Sequence, residues 1–253
     1  MSKEFKAGVI AGFINNSIVA PVDFMKIKYQ ISKQNDIIDL IKKRKFKYFW
    51  TGNCYGSFYS ALYCGIQFNV YNYSKKNISK NHFFNGALAG FTSVFITHPL
   101  STIKTRLISQ NKFYKSDLLY RNVFDIIKFQ PKTLYNGIFF NLFSIIPYGA
   151  IKFNCYEKFK NYNFGNYHIP ITATISAGLA QIVIMPIDNL EKNLQIYRFN
   201  KNLVNLSFYK YIQNKFKKEG FLLFYKGLSF ALVKQGISAS VIFSIYEYFL
   251  KLS

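Results

Sequence analysis

A proline followed by a repeated pattern of charge occurs three times in this chain, and the recurrence restricts the fold more than any other feature. Pro21 opens Pro-Val-Asp-Phe-Met-Lys-Ile-Lys28, Pro99 opens Pro-Leu-Ser-Thr-Ile-Lys-Thr-Arg106, and Pro186 opens Pro-Ile-Asp-Asn-Leu-Glu-Lys-Asn193. The prolines lie 78 and 87 residues apart. Self-similarity at a near-constant spacing means that one supersecondary unit has been copied. Repeats of about 1–80, 81–165 and 166–253 follow, within one domain.

Two further signatures divide each repeat into a pair of helices. Trp50-Thr51-Gly52, Tyr135-Asn136-Gly137 and Tyr225-Lys226-Gly227 each precede an apolar run, the last copy also carrying Glu219-Gly220 upstream. The runs close on Tyr71-Asn72 with Lys75, Tyr156-Glu157 with Lys160, and Tyr246-Glu247 with Leu250 in place of a base. Each run is about 25 residues, long enough to cross a bilayer as a helix. Membrane helices are therefore expected near 5–31, 52–77, 82–110, 137–161, 169–198 and 227–251, with short amphipathic helices between, such as Leu118–Phe129 and Tyr209–Lys218. Composition agrees: half the residues are hydrophobic and 19% are aromatic.

Asn, Lys and Gln interrupt these runs. A charge at mid-membrane costs roughly 2.5–3.5 kcal/mol, so such residues are expected to face a wet central cavity. Gly8 with Gly12, and Gly86 with Gly90, sit at matching places in the first and third helices, where they would let neighbouring helices approach closely.

The net charge of +22 would suit a nucleic-acid binder or a membrane protein that handles anions. The charge is scattered among apolar helices and forms no nucleic-acid-binding module, which disfavours the first. Cys54, Cys64 and Cys155 show no CxxC pairing, and His82, His98 and His168 lie in different repeats without useful carboxylate partners. No metal, cofactor or catalytic constellation is expected, and the histidines suit helix-end or interfacial roles. The three long loops, 33–48, 110–133 and 197–218, hold 17 Lys and Arg against 8 in the termini and short loops. By the positive-inside tendency these loops share the inner side and both termini face outward.

Three signatures in the same order, three times over, resemble the mitochondrial carrier family across nearly the whole chain. The resemblance implies an all-α membrane protein of six transmembrane helices in three pseudo-threefold repeats with short matrix helices. It also implies a monomer in the mitochondrial inner membrane, or in a mitochondrion-related organelle, that carries a small solute and is not an enzyme.

Pro21, Pro99 and Pro186 each remove a helical hydrogen bond and should kink their helices toward one axis. The charges that follow would form a matrix gate. Paired round the ring as the family pairs them, Asp23 meets Lys104, Ser101 meets Glu191, and Asp188 meets Lys26. The two departures from the motif, Ser101 and Glu191, thus fall on one pair, where Ser can hydrogen-bond the carboxylate that an Asp would repel. Gln30 and Gln195 match the family's bracing glutamines. At the other mouth the family pairing joins Asn72 with Lys160, Glu157 with Leu250, and Glu247 with Lys75. That ring is weaker, so the state open to the outside should prevail without substrate.

Residues four apart share a helix face. One face of each even-numbered helix reads Tyr59-Tyr63-Gln67-Tyr71, Ser144-Tyr148-Lys152-Tyr156 and Lys234-Ser238-Ile242-Tyr246. Seven residues after each repeat's Gly come Tyr59, Ser144 (with Ile145) and Lys234, the positions that match the family's substrate contact points. Lys152 and Lys234 offer ammonium donors for phosphate or carboxylate. The run from Ile145 to Glu157 resembles carriers of nucleotides, coenzyme A and thiamine pyrophosphate, although those often place Arg where Tyr59 stands. A nucleotide- or coenzyme-like anion is the leading substrate class. A carrier of S-adenosylmethionine, an amino acid or a keto acid remains open, as does a degenerate carrier with a structural role.

Overall fold

A computed structural model of the chain describes residues 3–31, 42, 46–110, 124, 126–127, 131–160, 162, 168–197 and 207–251, with side chains from 12 to 241 except at 82–83. Its helices are α1 (Lys3–Ile31), α2 (Asn53–Asn77), α3 (His82–Ser109), α4 (Ile138–Phe159), α5 (His168–Tyr197), α6 (Phe208–Glu219) and α7 (Leu228–Lys251). No strand occurs among the described residues. The six long helices fall within a few residues of their expected places. The short α6 matches the expected Tyr209–Lys218 helix, whereas the Leu118–Phe129 segment lies mostly outside the described residues.

The long helices form a closed ring: α1 packs on α2 and α7, α2 on α3, α3 on α4, α4 on α5, and α5 on α7. The odd-numbered α1, α3 and α5 also touch one another. Each carries its proline inside a continuous helix, and it is the segments past the prolines that converge.

Burial is inverted relative to a soluble protein. On α4, Phe139, Phe143, Ile146 and Phe153 form one exposed stripe, with Phe139 84% exposed, while Asn141, Ser144, Ile145 and Tyr148 face the interior. An exposed stripe of phenylalanine suits contact with lipid, and it gives so aromatic a chain a place for its rings. By composition alone, two segments are apolar enough to span a bilayer, Pro131–Phe159 and His168–Tyr197. The others are diluted by inward-facing polar residues such as Asn16, Tyr59, Lys104 and Lys234.

The recurring glycines before α2, α4 and α7, the second helix of each repeat, have a common physical cause. Gly52, Gly137 and Gly227 adopt φ of 79°, 89° and 81°, a left-handed conformation that costs glycine nothing. A Cβ there would also press on the neighbouring odd helix: on Lys104 Cγ at 3.3 Å from Gly52, on the Glu191 carbonyl at 3.1 Å from Gly137, and on the Lys26 carbonyl at 3.1 Å from Gly227. Each glycine therefore seats its helix against the fifth residue after the next repeat's proline. Of the glycines expected to pack helices, Gly12 lies 4.0 Å from Ser60 and Gly90 3.3 Å from Ile145, measured to an added Cβ, and Gly86 meets nothing within 4 Å, while the surroundings of Gly8 lie outside the described residues.

Candidate functional site

The converging proline ends build a floor of buried charge. Lys104 Nζ lies 2.5 Å from Asp23 Oδ2, and Lys26 Nζ lies 2.6 Å from Asp188 Oδ2. Both pairs join different repeats, and the side chains of all four residues are at most 14% exposed. Gln30 donates to Asp188 Oδ2 at 3.2 Å and Gln195 to Glu191 Oε1 at 2.7 Å. Each glutamine thus lies against an acid of the floor.

The third junction differs from the sequence expectation. Ser101 and Glu191 are linked through Lys192, whose Nζ lies 3.0 Å from Glu191 Oε1 and 3.5 Å from Ser101 Oγ. Asn141 adds a donor to Glu191 at 3.3 Å. The third repeat thus keeps its base but displaces it by one residue, from the fifth position after Pro186 to the sixth. That shift was visible in Glu191-Lys192, although the motif register hid its meaning.

Beneath the proline level the same logic continues. Lys28 Nζ donates to the Ile108 and Ser109 carbonyls, and Arg106 donates to the Gln195 carbonyl and to Thr133. These cations sit seven residues after their prolines and cap the C-terminal end of the next odd helix, where the helix dipole favours positive charge. The third repeat has Asn193 there, and Lys215 of α6 supplies the ammonium, 2.7 Å from Asn193 Oδ1. Burial lowers the Lys215 pKa to about 8, with Lys226 adding repulsion.

Above the floor lies a cavity of about 390 Å³. Tyr59, Ser144, Ile145 and Lys234 all line it, as do Asp23, Lys26, Ser101, Lys104, Asp188 and Glu191. Tyr59 and Tyr63 stack with centroids 5.9 Å apart. Lys152 is not among the lining residues; its ammonium sits 5.9 Å from the Tyr148 ring centroid. Lys234 is engaged, with Nζ 2.6 Å from Asp23 Oδ1, so Asp23 holds two lysines at once. Sequence reasoning missed Lys192, Asn16, Asn141 and Gln181 as cavity residues, because uncharged amides and a displaced base match no motif position.

The opposite mouth looks different. Lys160 pairs with Glu157 within its own helix rather than with Asn72, and both side chains are well exposed. Asn72 and Lys75 are exposed too. The side chains of Glu247 and Leu250 lie outside the described residues. Of the histidines, His82 and His168 begin helices, as expected, but His98 is buried inside α3, where it bonds the Asn136 carbonyl at 3.1 Å.

Three two-helix repeats around a charged chamber closed at one end define a class of membrane protein, and comparison with known proteins identifies it. The chain belongs to the mitochondrial carrier family: the family model for mitochondrial carrier proteins matches three times, over residues 1–82, 79–167 and 163–253. It is 31% identical to mitochondrial substrate carrier family protein P of Dictyostelium discoideum, over 96% of this chain and 92% of that protein. It is 27% identical to the mitochondrial adenyl nucleotide antiporter of Danio rerio, over 97% of this chain and 57% of that longer protein. Identity is also 27% to mitochondrial thiamine diphosphate carrier 1 of Zea mays, over 96% of this chain and 91% of that protein.

Proposed function

We propose that this protein moves a small phosphorylated, ring-containing anion across the mitochondrial inner membrane by alternating access, acting as a monomer. The observation that carries the reading is the cavity itself: four lysines, Lys26, Lys104, Lys192 and Lys234, against three acids, Asp23, Asp188 and Glu191, beneath tyrosine rings. The surplus cation and the stacking faces together suit a phosphate joined to an aromatic ring. Relatives named for adenyl nucleotides and thiamine diphosphate support the same class.

In this reading the proline ends face the matrix and form the closed gate, and the other mouth faces outward. Substrate entering from outside offers its anion to Lys234 and weakens that lysine's hold on Asp23. Removing one partner from a buried ion pair typically costs about 3–5 kcal/mol, so the floor stays shut until substrate contacts offset the loss. The outer charges Lys75, Glu157 and Lys160, with Asn72 and Glu247, then find partners across the mouth as it closes.

The acids lining the cavity would favour a second reading, a substrate that carries an amine, such as S-adenosylmethionine or an amino acid. Each acid is already held by lysine, so the phosphorylated anion fits better. Uptake into proteoliposomes loaded with candidate substrates decides. Phosphorylated, ring-bearing compounds should exchange, and Lys234→Ala should abolish uptake while leaving the fold intact. Exchange of amino acids or keto acids alone, or full activity of Lys234→Ala, would refute the proposal.

A further inference from the structure

Pro21 has no N–H to offer the carbonyl four residues before it, and in α1 that carbonyl belongs to Ser17. An orphaned carbonyl within a membrane is costly, so a neighbour must supply the donor. The Trp50 indole N–H does so at 3.2 Å. Trp50 ends the short helical turn Phe46–Trp50 that leads into α2. More side chains extend the contact. Asn16 Nδ2 donates to Asn53 Oδ1 and to Ser57 Oγ, both at 3.1 Å, and Asn53 Nδ2 donates to Ser17 Oγ at 3.4 Å. Asn16 and Ser57 are buried. A polar clasp thus ties α1 to α2 at the level of the proline.

The other repeats fill these places differently. Where the first repeat has Asn53 and Ser57, the second has Ile138 and Leu142 and the third Leu228 and Leu232, whose side chains cannot hydrogen-bond. Tyr135 stands in the place of Trp50 and sets its ring 5.6 Å from that of Phe95, four residues before Pro99. An apolar contact holds the spot that the indole bond holds in the first repeat.

The clasp also reaches the gate. Asp23 lies two residues past Pro21, on the segment whose direction the kink sets. On the α2 side, a Cβ on Gly56 would lie 2.7 Å from Lys104 Nζ and 2.9 Å from Asn16 Nδ2. Lys104 therefore rests between the Asp23 carboxylate of α1 and bare backbone of α2, with the clasp amide alongside. Changing the bend of α1 at Pro21 would turn the Ser17 carbonyl off the indole, so that bond belongs to the closed floor. An interaction made in one state alone shifts the equilibrium toward that state.

We infer that Trp50, Asn16, Asn53 and Ser57 are positioning residues that fix the kink of α1 and hold Asp23 against Lys104, so that the first repeat biases the resting carrier toward closure at its proline end. The inference rests on the proposed reading of that end as the closed gate.

The test follows the resting gate with no substrate present. In a carrier lacking Cys54, Cys64 and Cys155, Asn72→Cys with Lys160→Cys reports closure of the opposite mouth through the rate at which a short thiol crosslinker joins them. Trp50→Phe keeps a ring but removes the N–H, and should raise that rate about two- to tenfold, the range expected for one lost hydrogen bond. Asn53→Ile, which installs the residue of the second repeat, should do the same if Trp50→Phe fails to fold. Tyr135→Phe keeps the ring that meets Phe95 and should leave the rate unchanged. No rise in either clasp variant, even with a lowered melting temperature, would make the clasp a structural brace alone and overturn the inference. An equal rise in Tyr135→Phe would overturn it as well. Rapid crosslinking of the outer pair before any clasp residue is changed would instead sink the closed-gate reading itself, and the inference with it.

Discussion

The two mouths of this carrier contain similar residue types and use them in opposite ways. At the proline end, lysines and acids from different repeats are buried and joined at 2.5–2.6 Å. At the other end, Glu157 and Lys160 satisfy each other along one helix in open surroundings. A pair is worth what its burial and connectivity make it worth: exposed pairs contribute about 0–1 kcal/mol, whereas breaking a buried one leaves an uncompensated charge. The chain is latched at one end and merely charged at the other.

The largest effect should come from Asp23, because two lysines depend on it. Asp23→Ala leaves Lys104 and Lys234 facing each other and should destabilise the carrier by about 3–5 kcal/mol. That loss is checked by thermal unfolding in detergent, alongside loss of exchange. A drop no larger than that of an outer-mouth variant would erase the contrast between the ends.

The third junction should respond less. Lys192→Met removes the base between Ser101 and Glu191 but leaves the carboxylate its bonds from Gln195 and Asn141. The expected cost is about 1–3 kcal/mol, less than the 3–5 kcal/mol of a buried charge left without partners, because the two amide donors still hold the carboxylate. Ser101→Ala should cost about 1 kcal/mol or less.

The level beneath the floor gives a pH signature. The Lys215 pKa, lowered by burial to about 8, lies below its unfolded value. Between those values the unfolded chain binds more protons than the folded one, so stability should rise as pH increases from about 8 toward 10.4. The gain should be on the order of 1–2 kcal/mol after solvent screening, and Lys215→Gln should flatten that part of the profile. The smallest effect belongs to the outer mouth: Glu157→Gln should change resting stability by about 0.5 kcal/mol or less. Its transport rate should still fall, because the closed outer mouth needs that charge.

Much of this was legible in the residues. The three prolines, the three aromatic-Gly starts and the spacing of apolar runs located six helices to within a few residues, since each signature acts locally: a lost hydrogen bond, a left-handed turn, a bilayer-length run. The facing of Asp23 on Lys104 and of Asp188 on Lys26 was readable through the resemblance to the carrier family, whose ring pairing the three repeats follow. Lys192 was not, since a one-residue slip rotates a helical side chain by about 100° and lets the next residue reach the same place. The double hold of Asp23 was hidden as well. It joins residues 211 apart in sequence, and no local pattern links a contact-point lysine to a gate acid. Lys152 shares a helix face with Ser144 but lies eight residues, about 12 Å, further along it, and it is not among the residues that line the cavity.

The most direct measurement places paired cysteines at each mouth in a background lacking Cys54, Cys64 and Cys155, and asks which pair a short thiol crosslinker joins without substrate. Ile31→Cys with Ile108→Cys, which share a buried cluster at the proline end and leave the gate charges in place, should crosslink quickly, and Asn72→Cys with Lys160→Cys only once substrate is added. Rapid crosslinking of the outer pair at rest, with none between positions 31 and 108, would contradict a carrier latched at its proline end.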